Sequence, residues 1–250
     1  MTTPPAISVV VPYYDSEKYI EHCLASLHEQ RGVEGGFELL FVDNGSSDGS
    51  PEIVARYDGV THLSESKEGA YAARNAGIAQ ARGRVIAFTD ADCRVDSDWL
   101  ANAQRALQDE SVGIAIGHCR YPQNGTPGLK VLGRYENAKA SYVAQRGNPR
   151  QQFAYGNNMV VRADVFEAIG PFREWKRAAD SELVHRMAAE AAQWRLIFCK
   201  QMRITHLEFT RAKARARRLR LYAQTNTKIG SFEELTTTQR VRILLRALWL

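Results

Sequence analysis

The sequence predicts an α/β protein with a mostly parallel central sheet and helices on both faces of that sheet. Short apolar runs rich in β-branched residues alternate with helical patterns from Ile7 to Leu107, as in folds built from strands joined by crossover helices. Polar segments follow three of the apolar runs: PYYD, VDNGSSD and TDADC. Because ligands of parallel α/β sheets bind beyond the carboxyl ends of the strands, these acidic segments predict a binding site at that edge.

The first half of the chain supplies most of the regular pattern. Ser16 is placed to begin a helix that carries Ile20 and Leu24 on one side, and Ser50 and Pro51 suit the N-cap and first position of a short helix. Residues 69–83 predict a small-residue helix that packs close to the sheet, and another helix opens near residue 97. Strands are predicted at residues 7–11, 37–42, 60–63 and 85–88.

The second half is less regular after a strand predicted at residues 112–117. Residues 121–152 are rich in Gly, Pro, Asn and basic side chains, with one helix predicted near 129–143. Further elements are predicted as a strand at 159–161, a helix at 180–191, strands at 194–199 and 202–205, and basic helices at 209–224 and 239–250. The last of these has the pattern of an interfacial amphipathic helix.

Composition limits the class of protein. The 250 residues are 44% hydrophobic and 24% charged, which is ordinary for a globular domain, and the net charge of +5 has its basic excess after Lys200. The four cysteines form no CxxC pair, which argues against zinc and disulfides and favours reduced thiols in the cytosol. We find no signal-peptide pattern and no run of roughly 18 apolar residues, so a soluble or peripherally attached protein is expected.

The segment RVIAFTDADC carries the strongest chemical signal. Asp90 and Asp92 follow an apolar run at a spacing of two, which places both carboxylates on one side of an extended strand end. Mg²⁺ or Mn²⁺ held by such oxygens commonly also binds substrate phosphates. The alternative interpretation is a strand end that runs into a turn, since Asp favours turns for local reasons.

Six segments together resemble one enzyme family: VVVPYYD, VDNGSSDGS, KEGAYAARNAG, FTDADC, YGNNMVVRADVFEAIGPF and AADSELVHRM. In this order they are similar to the inverting family 2 glycosyltransferases, from about Ile7 to His206. The resemblance implies a GT-A fold with a Rossmann-like sheet, and transfer of sugar from a nucleotide-diphospho-sugar, with UDP favoured, to a hydroxyl acceptor. Residues 1–120 would then bind the donor, residues 121–208 would bind the acceptor and supply the base, and residues 209–250 would form basic amphipathic helices.

The resemblance also assigns roles to matching residues. Asp180 would be the catalytic base, with Glu182 as the substitute and a helix N-cap as the structural alternative for Asp180. Asp92 and His206 would hold Mn²⁺ or Mg²⁺. Ten residues would contact the nucleotide-sugar: Pro12, Tyr14, Asp43, Lys67, Arg74, Asp90, Asp92, Gly156, Asn157 and Asn158.

Three positions need separate interpretation. Asn44 and Ala179 stand where relatives usually have Asp and Glu, and the departure at Asn44 leaves the nucleotide base open. Asp48 suits an Asx-type turn.

The implied partners are the nucleotide-sugar donor and a saccharide or lipid-linked acceptor, in bacterial surface polysaccharide or glycolipid synthesis. We expect a cytoplasmic protein, with peripheral contact at the inner face of the membrane through the basic C-terminal helices. Nucleic acid is not expected, because no recognised binding module accompanies the basic patch.

Three other functions compete with this interpretation. One is a catalytically inactive nucleotide-sugar or glycan-binding scaffold, motivated by Asn44 and Ala179. A sugar nucleotidyltransferase would show a glycine-rich basic loop after the first strand, and an NAD-dependent enzyme would show GxGxxG there. The sequence PYYDSEKYI at that point is neither.

Overall fold

A computed structural model describes residues 3–120, 127–146, 148–208 and 233–248 of the chain. The eight strands found in these ranges are β1 Ile7–Tyr13, β2 Phe37–Asp43, β3 Val60–Ser64, β4 Val85–Thr89, β5 Cys93–Val95, β6 Val112–Arg120, β7 Asn158–Arg162 and β8 Arg195–His206. The helices are α1 Ile20–His28, α2 Ser50–Ala55, α3 Ala70–Gln80, α4 Trp99–Ala106, α5 Pro127–Arg146, α6 Ala163–Ile169, α7 Ala179–Glu190 and α8 Thr237–Leu248.

All of these strands belong to one sheet, in the order β3-β2-β1-β4-β7-β6-β8-β5. The pairs β1–β2, β1–β4, β2–β3 and β6–β8 are parallel, so the predicted mostly parallel sheet is confirmed. Strand β7 runs antiparallel to both β4 and β6, and β5 runs antiparallel to β8. The reversal at β7 pairs Asn158 with Thr89, so the residues just before β7 lie beside those just after β4.

The sheet is covered on both faces. In β1, Val9 and Val11 belong to one apolar cluster and Val10 to the other, because successive side chains of a strand point to opposite faces. Trp99 of α4 packs in the first cluster, and Phe88 of β4 packs in the second. The continuous apolar run that begins at Ile7 therefore corresponds to a strand that is buried on both faces.

The close packing predicted for the small-residue helix is confirmed. A Cβ atom added at Gly77 of α3 would lie 2.4 Å from Cγ1 of Val10 on β1. No real carbon pair approaches so closely, so the absence of a side chain at Gly77 sets the distance between α3 and the sheet.

Several boundaries differ from the sequence predictions. The N-cap of α2 is Gly49, and Ser50 is its first residue. The two strands predicted at 194–199 and 202–205 are one strand, β8, because a register shift in its pairing with β6, between Gly117 and His118, lets the pairing continue past the polar residues in its middle. The helix predicted at 209–224 lies outside the described residues.

Within the described residues, no helix has both the length and the apolar content to cross a bilayer.

Gly77→Ala is expected to lower the free energy of unfolding by about 1–3 kcal/mol, because overpacking against Val10 outweighs the better helix propensity of alanine. Urea unfolding measures the change. Adding Val10→Ala removes the methyl groups that clash, so Gly77→Ala should cost far less in that background. Additive costs in the two backgrounds would contradict close packing at this point.

Candidate active site

A cleft of about 380 Å³ opens where β1 and β4 end and β7 begins. It draws residues from both halves of the chain. Nine residues singled out in the sequence line it: Pro12, Tyr14, Arg74, Asp90, Asp92, Gly156, Asn157, Asp180 and His206. The topology explains this convergence, because the reversed strand β7 brings Gly156 and Asn157 next to the acids that follow β4.

Asp92 and His206 form a group suited to a cation. Cys93 pairs with His206 across β5 and β8, which places Nε2 of His206 3.6 Å from Oδ2 of Asp92. One donor atom each from Asp92, Cys93 and His206 lies within 4.8 Å of the others. Carboxylate and imidazole together are ligands that Mn²⁺ accepts readily, so these residues fit a divalent metal. Burial raises the pKa of the Cys93 thiol well above its usual value, and its Sγ contacts Oδ1 of Asp92 at 3.6 Å.

The two acids of the DAD sequence have different surroundings. Asp90 accepts an ion-paired hydrogen bond from Nη2 of Arg74 at 2.5 Å. Asp92 has no such guanidinium partner among the described residues, and burial raises its pKa to about 6, with Asp90 adding to the rise and His206 opposing it. Burial destabilises the charged form of such a carboxylate, and a nearby cation stabilises that form. Asp92 is therefore the acid of the pair available to a metal.

Arg74 is buried and lies at the centre of the cleft's charges. Its side chain is 6% exposed and packs over the ring of Tyr71, with Cζ 5.2 Å from the ring centroid. A Cβ at Gly156 would lie 3.0 Å from Cζ of Arg74. Glycine at position 156 therefore leaves room for the guanidinium between Asp90 and the strand β7 side of the cleft.

Asp180 is the second residue of α7, whose N-cap is Ala178. Its carboxylate does not cap the helix. Oδ2 accepts a hydrogen bond from the backbone N–H of Gly156 at 2.9 Å, and Oδ1 accepts one from Ser181 at 2.8 Å. Burial raises the pKa of Asp180, against the opposing effect of these two N–H groups and of Arg74. A carboxylate whose pKa is raised accepts a proton more readily than an exposed one.

Glu182, the substitute base considered from the sequence, does not line the cleft. Its carboxylate accepts hydrogen bonds from Nε and Nη2 of Arg186 at 3.0 and 3.1 Å. The same guanidinium donates to the carbonyls of Ile169, Gly170 and Pro171. Glu182 therefore holds Arg186 against the loop after α6. Two residues apart on a helix correspond to about 200°, which is why Asp180 and Glu182 face different surroundings.

Three predicted contact residues lie outside the cleft. Asn158 departs most clearly from its prediction, because it is only 2% exposed. Its side chain accepts a hydrogen bond from Nε1 of Trp99 at 2.9 Å and donates to two backbone carbonyls. Asn158 therefore belongs to the core. Lys67 is exposed and forms an ion pair with Glu174. Asp43 accepts from the backbone N–H of Ser46 at 3.0 Å.

Asn44 lines the cleft in place of Asp43 and ties down the loop before α3. Its Nδ2 donates to the carbonyls of Glu65 and Lys67, both at 2.8 Å, and its Oδ1 accepts from the N–H of Gly69 at 2.7 Å. Only an amide can donate and accept in this way. The Asx-type turn predicted for Asp48 is confirmed, since its Oδ1 accepts from the N–H of Ser50.

The sequence interpretation missed several residues of the cleft wall, among them two cations and the aromatic residue Tyr155. Lys176 and Arg177 line the cleft from the loop before α7, as does Tyr155, whose hydroxyl donates to Glu136 of α5 at 2.7 Å. The basic residues of FREWKRAAD, directly before Asp180, were a visible signal for the two cations. Nothing local in the sequence distinguishes Tyr155 from a core aromatic.

Comparison with known proteins identifies the family of the chain. Residues 8–170 match the model described as glycosyl transferase family 2. The chain belongs to this family. It is 34% identical to the glycosyltransferase AglE of Haloferax volcanii over 178 residues, 68% of this chain and 57% of AglE. It is 36% identical to poly(ribitol-phosphate) β-N-acetylglucosaminyltransferase TarS of Staphylococcus aureus over 114 residues, 44% of this chain and 20% of TarS. The chain thus spans little more than half of AglE and a fifth of TarS.

Solved structures show the same fold. The mannosyltransferase PcManGT of Pyrobaculum calidifontis, in complex with GDP-Man and Mn²⁺, superposes with a TM-score of 0.71 at 24% identity, covering 99% of this chain and 70% of that one. Residues 1–349 of S. aureus TarS with UDP-GlcNAc give a TM-score of 0.59 at 20% identity, covering 97% of this chain and 71% of that one. The family 2 chain described here has the GT-A fold.

Asn44→Asp is expected to lower the free energy of unfolding by about 1–3 kcal/mol at neutral pH, because a carboxylate would face the carbonyls of Glu65 and Lys67 without a proton to donate. Chemical denaturation measures this loss. The deficit should narrow as the pH falls towards about 4, where a protonated carboxyl regains one donor. A deficit that does not change with pH would point to a cause other than these hydrogen bonds.

Proposed function

We propose that this chain transfers a sugar from a nucleotide-diphospho-sugar to a hydroxyl acceptor with inversion at the anomeric carbon. The observation that carries the proposal is one cleft that contains both a buried acid of raised pKa, Asp180, and an acid and imidazole pair suited to a metal, Asp92 and His206. Family membership supports it. Solved relatives in complex with GDP-Man and UDP-GlcNAc support a nucleoside diphosphate leaving group, and UDP is the nucleotide we favour.

Asp180 acts as the general base in this proposal. Its carboxylate takes the proton from the acceptor hydroxyl while that oxygen forms a bond to the anomeric carbon. The bond between the anomeric carbon and the diphosphate oxygen breaks on the opposite face, the nucleoside diphosphate leaves with the electron pair, and the proton later passes from Asp180 to water. General base catalysis of this kind contributes roughly 10²- to 10⁴-fold to the rate. The hydrogen bonds from Gly156 and Ser181 fix the carboxylate for this transfer.

The negative charge of the leaving diphosphate is the second requirement. Asp92 and His206 would hold Mn²⁺ or Mg²⁺, which when bound supplies positive charge to the diphosphate. Arg74 neutralises Asp90 and so lowers the repulsion that a diphosphate would meet at the DAD sequence. Lys176 and Arg177 also line the cleft, from the loop that leads to Asp180, and add positive charge to it. Fixed cations in a partly buried cleft stabilise developing anions more than the same cations do in water.

The acceptor that we propose is a saccharide or a lipid-linked saccharide at the inner face of a membrane, in synthesis of a surface polysaccharide or glycolipid. The name of TarS, a poly(ribitol-phosphate) β-N-acetylglucosaminyltransferase, supports a polymer as the acceptor class. The competing idea, an inactive scaffold, was motivated by Asn44 and Ala179. Asn44 anchors a loop, and Ala179 is fully buried in the apolar core, so neither departure removes a reacting group from the cleft.

Asp180→Asn is expected to lower kcat for sugar transfer by roughly 10²- to 10⁴-fold, with little change in donor binding, because the amide keeps the shape of the carboxylate and cannot take a proton. Glu182→Gln is the matched control: it should keep kcat and lower stability through its weakened contact with Arg186. Release of nucleoside diphosphate with acceptor present measures the rate. The reverse pattern, with Glu182→Gln inactive, would reject Asp180 as the base.

Asp92→Ala is expected to abolish metal-dependent binding of the nucleoside diphosphate. Isothermal titration calorimetry with UDP, GDP, CDP and dTDP, first in Mn²⁺ and then in EDTA, should show one preferred nucleotide that needs the metal. Asp109→Ala, an exposed acid outside the cleft, is the control and should bind as the unchanged protein does. Equal binding in EDTA, or no binding of any nucleotide to folded protein, would contradict the metal and donor assignments.

A further inference from the structure

Helix α8 presents two apolar sides, only one of which packs on the described part of the protein. Ile243 and Ala247 are fully buried, and Ile243 packs with Tyr142 and Val143 of α5. A helix needs one such stripe to attach to a core. The second apolar side of α8 therefore is not explained by the fold of the described residues.

The second side is a continuous exposed stripe. Val241, Leu244, Leu245 and Leu248 are 50%, 41%, 53% and 55% exposed. At 100° per residue these four side chains fall within an arc of about 100°, centred roughly 130° away from the buried pair. Large apolar side chains grouped in this way mark an interaction surface more often than scattered ones do.

Arginines border this stripe. On the helical projection Arg240 lies about 40° beyond one edge of the arc, Arg242 lies about 60° beyond the other edge, and Arg246 lies about 40° further round than Arg242. No Asp or Glu occurs between Thr237 and Leu248, although Glu234, before the helix, pairs with Arg240 at 2.8 Å. A short apolar stripe between cationic borders matches the boundary between acyl chains and anionic headgroups of a bilayer, where apolar side chains insert and arginines contact phosphates. The stripe extends for about 10 Å, which is enough to lie in that boundary and too little to cross a membrane.

A path of packed groups connects α8 with the cleft. Its buried side rests on α5, and α5 supplies Glu136, which accepts the hydrogen bond from the hydroxyl of Tyr155 in the cleft wall. Gln239 at the start of α8 also exchanges hydrogen bonds with Gln151, a few residues before that wall. The stripe thus belongs to the half of the fold that carries Asp180, where the acceptor would bind.

We propose that the stripe formed by Val241, Leu244, Leu245 and Leu248, with Arg242 and Arg246 on the neighbouring face of α8, docks the protein on an anionic lipid surface. The inference rests on the proposed function for its purpose, since a lipid-linked acceptor would be presented from the same surface. The docking itself is a property of α8 and can be measured without any sugar transfer.

The test is co-sedimentation of the full chain with vesicles of phosphatidylcholine, with or without phosphatidylglycerol. The unchanged protein should bind only the anionic vesicles. Leu244→Gln with Leu245→Gln should weaken that binding at least about tenfold, because both side chains are exposed in the free protein and lose their insertion into lipid. Arg242→Gln with Arg246→Gln should weaken it roughly 30-fold, from about 1 kcal/mol for each arginine near an anionic surface.

A charge-matched control separates docking from general attraction. Arg31→Gln with Arg56→Gln removes the same charge from exposed positions on the donor half and should leave vesicle binding nearly unchanged. Equal losses in the two arginine pairs, or unchanged binding of the leucine variant, would overturn the inference. So would a dimer in sedimentation velocity that the leucine changes dissociate, since a second copy would then cover the stripe.

The nucleotide titration keeps the two proposals apart. Metal-dependent binding of a nucleoside diphosphate should be the same in the leucine variant as in the unchanged protein, which also shows that the variant is folded. Vesicle binding that is absent while nucleotide binding persists overturns the lipid inference alone. Nucleotide binding that is absent while vesicle binding persists overturns the proposed function alone.

Discussion

The side-chain amide of Asn158 joins the parts of the sheet on which the cleft depends. It accepts from Trp99 of α4 and donates to the backbone carbonyls of His118 on β6 and Met202 on β8. Because β7 itself pairs with β4, one buried amide links α4 and three strands to the strand that carries the DAD sequence. A Cβ at Gly117 would lie 2.3 Å from the Met202 carbonyl and 2.4 Å from Nδ2 of Asn158, so glycine is required beside this junction. Buried amides that satisfy several strands in this way fix their relative position more specifically than apolar contacts do.

The junction has an electrostatic counterpart in Arg74. This guanidinium neutralises Asp90 through direct contact and lowers the pKa of Asp180 from further away, against the effect of burial. A single buried cation thus influences one acid from each half of the fold. Without it, Asp90, Asp92 and Asp180 would share the cleft without this counter-charge, and their mutual repulsion would be larger.

The sequence predicted those features that depend on local pattern. Buried strands such as β1 were visible because an apolar run of β-branched residues has few alternatives, and the acids of DAD were visible because strand ends cluster at one edge of a parallel sheet. Strand direction was not visible, since a period of two is the same in parallel and antiparallel pairs. The reversal of β7, and with it the burial of Asn158, therefore had to come from the structure.

Other features escaped because they depend on distant partners. Continuity of β8 through its polar middle depends on pairing with β6, and Asn44 becomes a loop anchor only when the carbonyls of Glu65 and Lys67 reach it. The two acids of α7 could have been separated from the sequence alone. Because the two residues are two positions apart on a helix, Glu182 points away from the side on which Asp180 lies. It points towards Arg186, four residues further along.

The ion pair between Lys67 and Glu174 joins two loops near the cleft. It connects the loop before α3 with the loop before α7. Lys176 of the second loop lines the cleft, as does Ala70, the first residue of α3. Exposed pairs of this kind contribute only about 0–1 kcal/mol, so thermal motion breaks the contact often. The contact is therefore a weak latch between two loops near the cleft, and separating these loops costs little free energy.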